Sequence, residues 1–308
     1  MRLAPVALVL AACADPIEAP AIRHESTLQQ QTRGLVLHDD GLRGHAGMFA
    51  TNCPFETVRG SVTGDYDLPD EDEEVQDGGE STMGPETVVL GLSDVVWMLE
   101  KSTGDYVKQE VRWDGIRQAR LTSEGLAGLV DTDGGCAVEW QVGDEVVGRL
   151  PLESCDRGFD AAWDETVVVG GDPVVIGLPD GSAIETEEAG RLVAWDDVLG
   201  LAYVARPDGD EVAAVRPDGT RAWKTTVDGG VKALAAAGAQ AAAVVTLQRD
   251  DGTGAIAWLD GASGAVLSEL ATPSPAPAVT ASKNGRRLAL VLDGEAHFYS
   301  VDLDALGR

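Results

Sequence analysis

An all-β ring of four-stranded sheets is the fold class this sequence predicts, from one hairpin signature, one period and one phase. The signature is residues 212–223, VAAVRPDGTRAW, where alternating apolar residues (Val212, Ala214) run into Pro217-Asp218-Gly219 and a second strand leaves through Ala222 and Trp223. Period-two alternation on both sides of an Asp-Gly turn is the strongest short-range hairpin signal a sequence carries. The period comes from the glycine in the turn of each long hairpin. Gly104, Gly143, Gly181, Gly219 and Gly264 are separated by 39, 38, 38 and 45 residues. The phase comes from a second set of turns: Asp133-Gly134, Gly171-Asp172, Asp208-Gly209, Asp251-Gly252 and Asp293-Gly294. A repeat of about forty residues has the length of a four-stranded propeller blade.

Taken in order, the chain opens on an export signal. Arg2 supplies the charge, residues 3–10 a short apolar run, and Leu10-Ala11-Ala12-Cys13 ends in small residues before a cysteine. That tetrapeptide resembles the bacterial lipobox, which implies removal of residues 1–12 and lipidation of Cys13. Ala14 after the cysteine, by resemblance to enterobacterial sorting, favours the outer membrane. The apolar run is too short to span a bilayer. Residues 13–33 are polar, with Pro16, Pro20 and Gln29-Gln30-Gln31, and read as a flexible tether.

The propeller domain is predicted over 34–308. Between residues 64 and 84, nine acidic side chains crowd together without a Lys or Arg, so like-charge repulsion predicts a disordered insertion. Calcium is open to this stretch because oxygen ligands are plentiful, although the D-x-D-x-D-G register of an ion-wrapping loop is missing. No other cofactor is expected. From Pro85 onwards each period reads strand, tight turn, strand, tight turn, strand, longer link, strand. The last period holds only residues 287–292 and 296–301, so an N-terminal strand must complete the final sheet and close the ring. Residues 34–37 (GLVL) are the predicted closing strand. Six blades result, or seven if residues 34–62 make one of their own.

Fifty-two acidic against 23 basic residues give a formal charge of −29, which repels nucleic acid and anionic lipid and suits a basic partner or cations. Of the cysteines left after Cys13, Cys136 and Cys155 flank a single predicted hairpin and are the candidate disulfide, leaving Cys53 over. No CxxC pair suggests zinc. His38, Asp39, Asp40 and His45 are the only cluster of metal-ligand types, and the glycines around them read as a turn, so no metal site is assigned. No Gly-x-Ser-x-Gly elbow, HExxH helix or phosphate-binding loop occurs, and no catalytic residue is assigned. The seven tryptophans recur with the repeat and read as packing between blades.

Val212-Ala213-Ala214-Val215, then Asp218-Gly219, then Trp223 resembles the quinoprotein (PQQ-like) repeat, with looser copies at 255–267 and 95–107. WD40-like propellers share much of this pattern, so the resemblance implies propeller blades rather than a quinone-dependent activity. Quinoprotein dehydrogenases run to nearly twice this length, and their adjacent cysteines are absent here. In plan the chain is similar to the propeller lipoproteins that scaffold outer-membrane protein assembly, which implies a non-catalytic envelope binding protein. The competing expectation is a metal-dependent ligand-binding protein or an enzyme that uses the central channel. The turns between second and third strands share one face with the links between blades. Asp133, Asp172, Asp208, Asp251 and Asp293 in those turns are therefore the candidate binding ring, individually ordinary turn formers and collectively a focus of negative potential for a basic envelope protein.

Overall fold

The computed structural model describes residues 21–28, 34–39, 46–51, 58–61, 87–92, 95–102, 105–240, 242–281 and 285–306. Among them, 26 strands form seven antiparallel sheets, five four-stranded and two three-stranded. Strand β1 (Ile22–Leu28) comes first in the chain and belongs to the last sheet. Sheet I follows with β2 (Gly34–Asp39), β3 (Ala46–Thr51) and β4 (Val58–Ser61), and sheet II with β5 (Thr87–Leu92), β6 (Val95–Ser102) and β7 (Asp105–Arg112). Sheet III comprises β8 (Ile116–Leu121), β9 (Leu126–Thr132), β10 (Gly135–Val142) and β11 (Glu145–Leu152). Sheet IV has short strands, β12 (Phe159–Ala161), β13 (Val167–Val169), β14 (Val175–Gly177) and β15 (Ala183–Glu185). Sheet V is β16 (Leu192–Asp196), β17 (Leu201–Ala205), β18 (Glu211–Val215) and β19 (Arg221–Thr226). Sheet VI is β20 (Gly230–Ala237), β21 (Ala242–Gln248), β22 (Gly254–Asp260) and β23 (Val266–Thr272). Sheet VII is β24 (Val279–Ala281), β25 (Arg287–Leu292), β26 (Glu295–Val301) and, outermost, β1.

The fold is a β-propeller. The first strand of each sheet meets the first strand of the next, from β8 through β12, β16, β20 and β24 to β2, so these strands line the axis. Middle strands lie between two neighbouring sheets and are apolar on both faces: all of β17 and all but the first residue of β18 are buried. That is why they read as continuous Val/Ala runs, while the axial β20 alternates half-buried and buried positions along GVKALAAA. The alanine-rich stretch around Gly238 is strand, 3-10 turn (Gly238–Gln240) and strand, as its phase predicts. The cores lie between sheets. One joins Tyr203, Val212 and Trp223 of sheet V to Val245, Leu247 and Leu259 of sheet VI, and another joins Trp258 to Leu290 and Tyr299 of sheet VII.

Closure is by an N-terminal strand, but not the expected one. Ile22–Leu28 pairs with β26, in register Ile22↔Val301, His24↔Tyr299 and Thr27↔His297, with a bulge between His24 and Ser26. Residues 34–37 instead open sheet I, where Gly34–Asp39 pairs with β3. The tether expectation therefore fails for residues 22–28. The closing strand lacks an aliphatic pattern, because its inward positions past Ile22 are His24 and Thr27. They are satisfied by polar contacts: Thr27 Oγ1 stands 2.8 Å from His24 Nε2 and 3.0 Å from His297 Nδ1. Residues 1–12, Cys13, the rest of the tether, Cys53 and the acidic stretch 64–84 lie outside the described residues. No helix among the described residues is long and apolar enough to cross a membrane.

Deleting residues up to Leu28 should leave β26 with an unpaired edge and convert the protein to aggregates. Deleting only up to Pro20 should leave the melt unchanged. Size-exclusion profiles and thermal melts of the two truncations check this, and equal behaviour would remove β1 from its closing role.

Candidate functional site: the face of links and paired turns

Because strands alternate in direction, every turn joining a second to a third strand lies on the face that also carries the links from sheet to sheet. Asp133, Asp172, Asp208, Asp251 and Asp293 all fall on it, at the β9–β10, β13–β14, β17–β18, β21–β22 and β25–β26 turns. Two of the five have cationic partners. Asp208 accepts an ion pair from Lys232 Nζ at 2.5 Å, and Asp172 stands 3.8 Å from the Arg206 guanidinium. Asp208 and Asp293 adopt positive φ (61° and 50°), a conformation that Asp tolerates better than most residues. Asp251 closes its own turn: its Oδ1 accepts from Thr253 N at 2.9 Å and Thr253 Oγ1 at 2.6 Å. Hydrogen bonds from the Thr253 side chain and then its backbone hold the Asp251 carboxyl below the usual carboxylate range. Asp133 lies in the tight β9–β10 turn beside Gly134 and Gly135. The ring is thus partly a set of turn formers and partly a set of ion-paired carboxylates.

Sequence patterns gave no hint of a cleft that opens on the same face between sheets IV and V. It encloses about 350 Å³ and is lined by Glu187, Glu188, Arg206, Asp210, Glu211 and Lys224, among others. Glu188 sits in the irregular link after β15 and is buried, where an unpaired carboxylate would be costly. Two cations from β19 satisfy it. Arg221 Nη1 donates to Oε1 at 2.9 Å, and Lys224 Nζ lies 3.7 Å from Oε2 and 2.8 Å from Glu211 Oε2. The bond to Glu211, ahead of the Coulombic pull of Glu188, raises the Lys224 pKa above the usual ammonium value. Glu187 and Asp210 are exposed at the mouth. The arrangement can exchange one ammonium or guanidinium for another, which is recognition chemistry. No sequence pattern marks Glu188, because its burial depends on the irregular path of the 186–191 link.

Five of the tryptophans pack as the repeat predicts. Trp113, Trp140, Trp195, Trp223 and Trp258 are buried. Trp140 Nε1 donates to Glu165 O at 2.8 Å and Trp223 Nε1 to Gly261 O at 2.6 Å, each reaching a turn of the next sheet. Trp163 departs from this pattern and is exposed. Cys136 and Cys155 form a disulfide, with Cα atoms 5.3 Å apart, that ties the start of β10 to the link after β11. Among the described residues no three His, Cys, Asp or Glu side chains stand close enough to hold a metal ion.

No family model matches the chain, and no curated relative does. Solved structures do, at identities that speak for the fold alone. The RRP9 WD40 repeats match with a TM-score of 0.63 at 11% identity, covering 93% of this chain and 100% of theirs. Streptogramin B lyase matches at 0.61 and 9%, covering 91% and 97%. BBS1N, solved in complex with ARL6DN, matches at 0.60 and 11%, covering 94% and 97%. A WD40 repeat protein, a lyase and a complex-forming domain share this architecture, so the fold by itself names no activity.

The self-bonded turns carry a pH signature. Asp180, Asp218 and Asp251 are each held below the usual carboxylate range by hydrogen bonds from Ser182, Thr220 and Thr253. A folded pKa below the unfolded one contributes stability that is complete above about pH 4 and lost as pH falls through the folded value. Asp218→Ala with Asp251→Ala should lower the melting temperature at neutral pH and flatten its fall between about pH 5 and pH 3. Parallel melting curves for wild type and variant across that range would show that these carboxyls add nothing to the pH dependence of stability.

Proposed function

We propose that this chain is a non-catalytic binding scaffold of the bacterial cell envelope, anchored through lipidated Cys13, with the outer membrane favoured, and meeting a basic protein partner. The observation that carries the binding reading is the cleft between sheets IV and V. It offers exposed carboxylates (Glu187, Asp210) beside a carboxylate pair already engaged with a lysine (Glu188, Glu211). A lysine or arginine from a partner enters such a site by joining an existing charge network. BBS1N supports the reading by analogy, being a propeller caught with a protein partner. The acidic ring of Asp133, Asp172, Asp208, Asp251 and Asp293 would steer that encounter, an effect that weakens with salt. The Leu10-Ala11-Ala12-Cys13 sequence supports the anchor.

Two experiments test this. Cys13→Ala should release the protein from membranes after a high-salt wash, because the acylated cysteine supplies the membrane affinity; retention in the membrane fraction would rule the anchor out. Asn at positions 133, 208, 251 and 293 keeps turn geometry and removes four charges. Cross-linking of the tagged protein in its own membranes should then recover less partner, with a flatter dependence on salt, at a temperature where the melt shows the variant folded. Undiminished recovery would take the ring out of the binding surface.

A further inference from the structure

The opposite face of the ring has a different character. There the first strand of each sheet turns into its second, and the third into its fourth. Eight large apolar side chains are exposed among the described residues, and all eight lie in these turns or within three positions of them. None lies on the link face. Such one-sidedness is what an interaction surface produces, whereas scattered exposed apolar residues mean little.

The residues form two arcs. At the mouth of the channel, consecutive turns are bonded to one another. Ser123 N donates to Trp163 O at 2.7 Å, and Trp163 N donates to Asp197 Oδ1 at 2.8 Å. These bonds set the exposed Trp163 next to the turn that carries Val198, which is 62% exposed. Val198 in turn stands beside Gly238 of sheet VI. Farther out, Val142 and Val146 flank the β10–β11 hairpin tip, and Leu178 and Ile184 flank that of β14–β15. Ile184 reaches on to Gly219 at the tip of the next sheet. The apolar positions thus run from sheet III to sheet VI, where Val266 is exposed beside the β22–β23 turn.

Charge says what fits there. The turns on this face between β8 and β23 hold seven carboxylates, among them Glu124, Asp144, Asp164 and Asp180, against a single cation, Arg216. A second copy of the chain would bring −29 against −29, and nucleic acid and anionic lipid are repelled for the same reason. We infer that this face docks a protein segment presenting apolar side chains flanked by lysine or arginine, with Trp163 and Val198 as its central anchors. The inference rests on the scaffold reading for the nature of the occupant and adds a second, apolar surface to the ring. A rigid indole at the centre of an apolar patch is the residue type that dominates binding energy at protein interfaces.

The test is fluorescence anisotropy of a labelled amphipathic Leu/Lys peptide of about five helical turns, compared with Ser/Lys and Leu/Glu versions. The full chain should bind the Leu/Lys peptide at least about tenfold more tightly than the other two. Trp163→Ser with Val198→Ser should remove about tenfold of that affinity, measured at a temperature where the melt shows the variant folded, and Val198→Ser alone, at a side chain 62% exposed, should weaken binding without shifting the melt. The variant carrying Asn at 133, 208, 251 and 293 should retain it. Loss confined to that Asn variant would overturn the surface assigned here and leave the scaffold reading standing. Binding of neither Lys-containing peptide would remove both. Self-association in sedimentation that the Trp163→Ser, Val198→Ser change abolishes would make a second copy the occupant and overturn the inference.

Discussion

The pairing of β1 with β26 joins side chains 270 positions apart, Thr27 and His297, and the rest of the ring depends on it. Sheets IV, V and VI each share a buried core with the sheet on either side, and the β1–β26 pairing ties sheet VII at the end of the chain to its beginning. A single contact of such sequence separation carries a loop-closure cost that grows only slowly with length. What it must supply is specificity. Aliphatic alternation alone lets a strand slip by two positions, whereas a hydroxyl placed between two imidazole nitrogens has one register. The cluster also includes Tyr299, whose ring lies edge-on to His24 with centroids 5.4 Å apart.

This explains what was legible in the sequence. Turns that demand special backbone conformations announce themselves: Gly219 and Gly264 have φ of 81° and 74°, so only glycine serves well, and their spacing exposes the repeat. Strands packed on both faces announce themselves as Val/Ala runs. The closing strand has neither signal. Its edge faces solvent, its inward face is polar, and a bulge breaks its alternation, so it resembles the tether around it. Residues 34–37 have the apolar run a closing strand was expected to show, and they begin sheet I instead.

The candidate site was legible in composition but not in geometry. Strand parity puts the aspartates of the second-to-third turns on one face, yet parity cannot say which of them meet a cation. Lys232 reaches Asp208 from one of the half-buried positions that alternate with buried ones along the axial strand β20. Arg120 and the backbone of Trp195 converge on Asp160 in the same way, binding three successive axial strands through one carboxylate. With an excess of acidic groups, each such tie both joins two sheets and lowers the repulsion between them. Several of the sparse cations thus bridge sheets, while turn carboxylates such as Asp180, Asp218 and Asp251 accept hydrogen bonds from residues of their own turns.

The buried carboxylates follow the same logic, and it bears on where function can reside. Asp196 accepts from Tyr203 Oη at 2.7 Å and from the backbone of Val198 and Leu199. Glu139 accepts from Trp113 Nε1 at 3.0 Å and pairs with Arg149. Glu188 has Arg221 and Lys224. Each is committed to holding a turn or a sheet interface, and removing its charge would cost packing before it altered any chemistry. Groups with freedom to meet something new stand on the two turn faces, one with carboxylates around a charged cleft and the other with carboxylates around Trp163 and Val198. Between them lie the strands themselves, so the two faces are held apart by the length of the sheets.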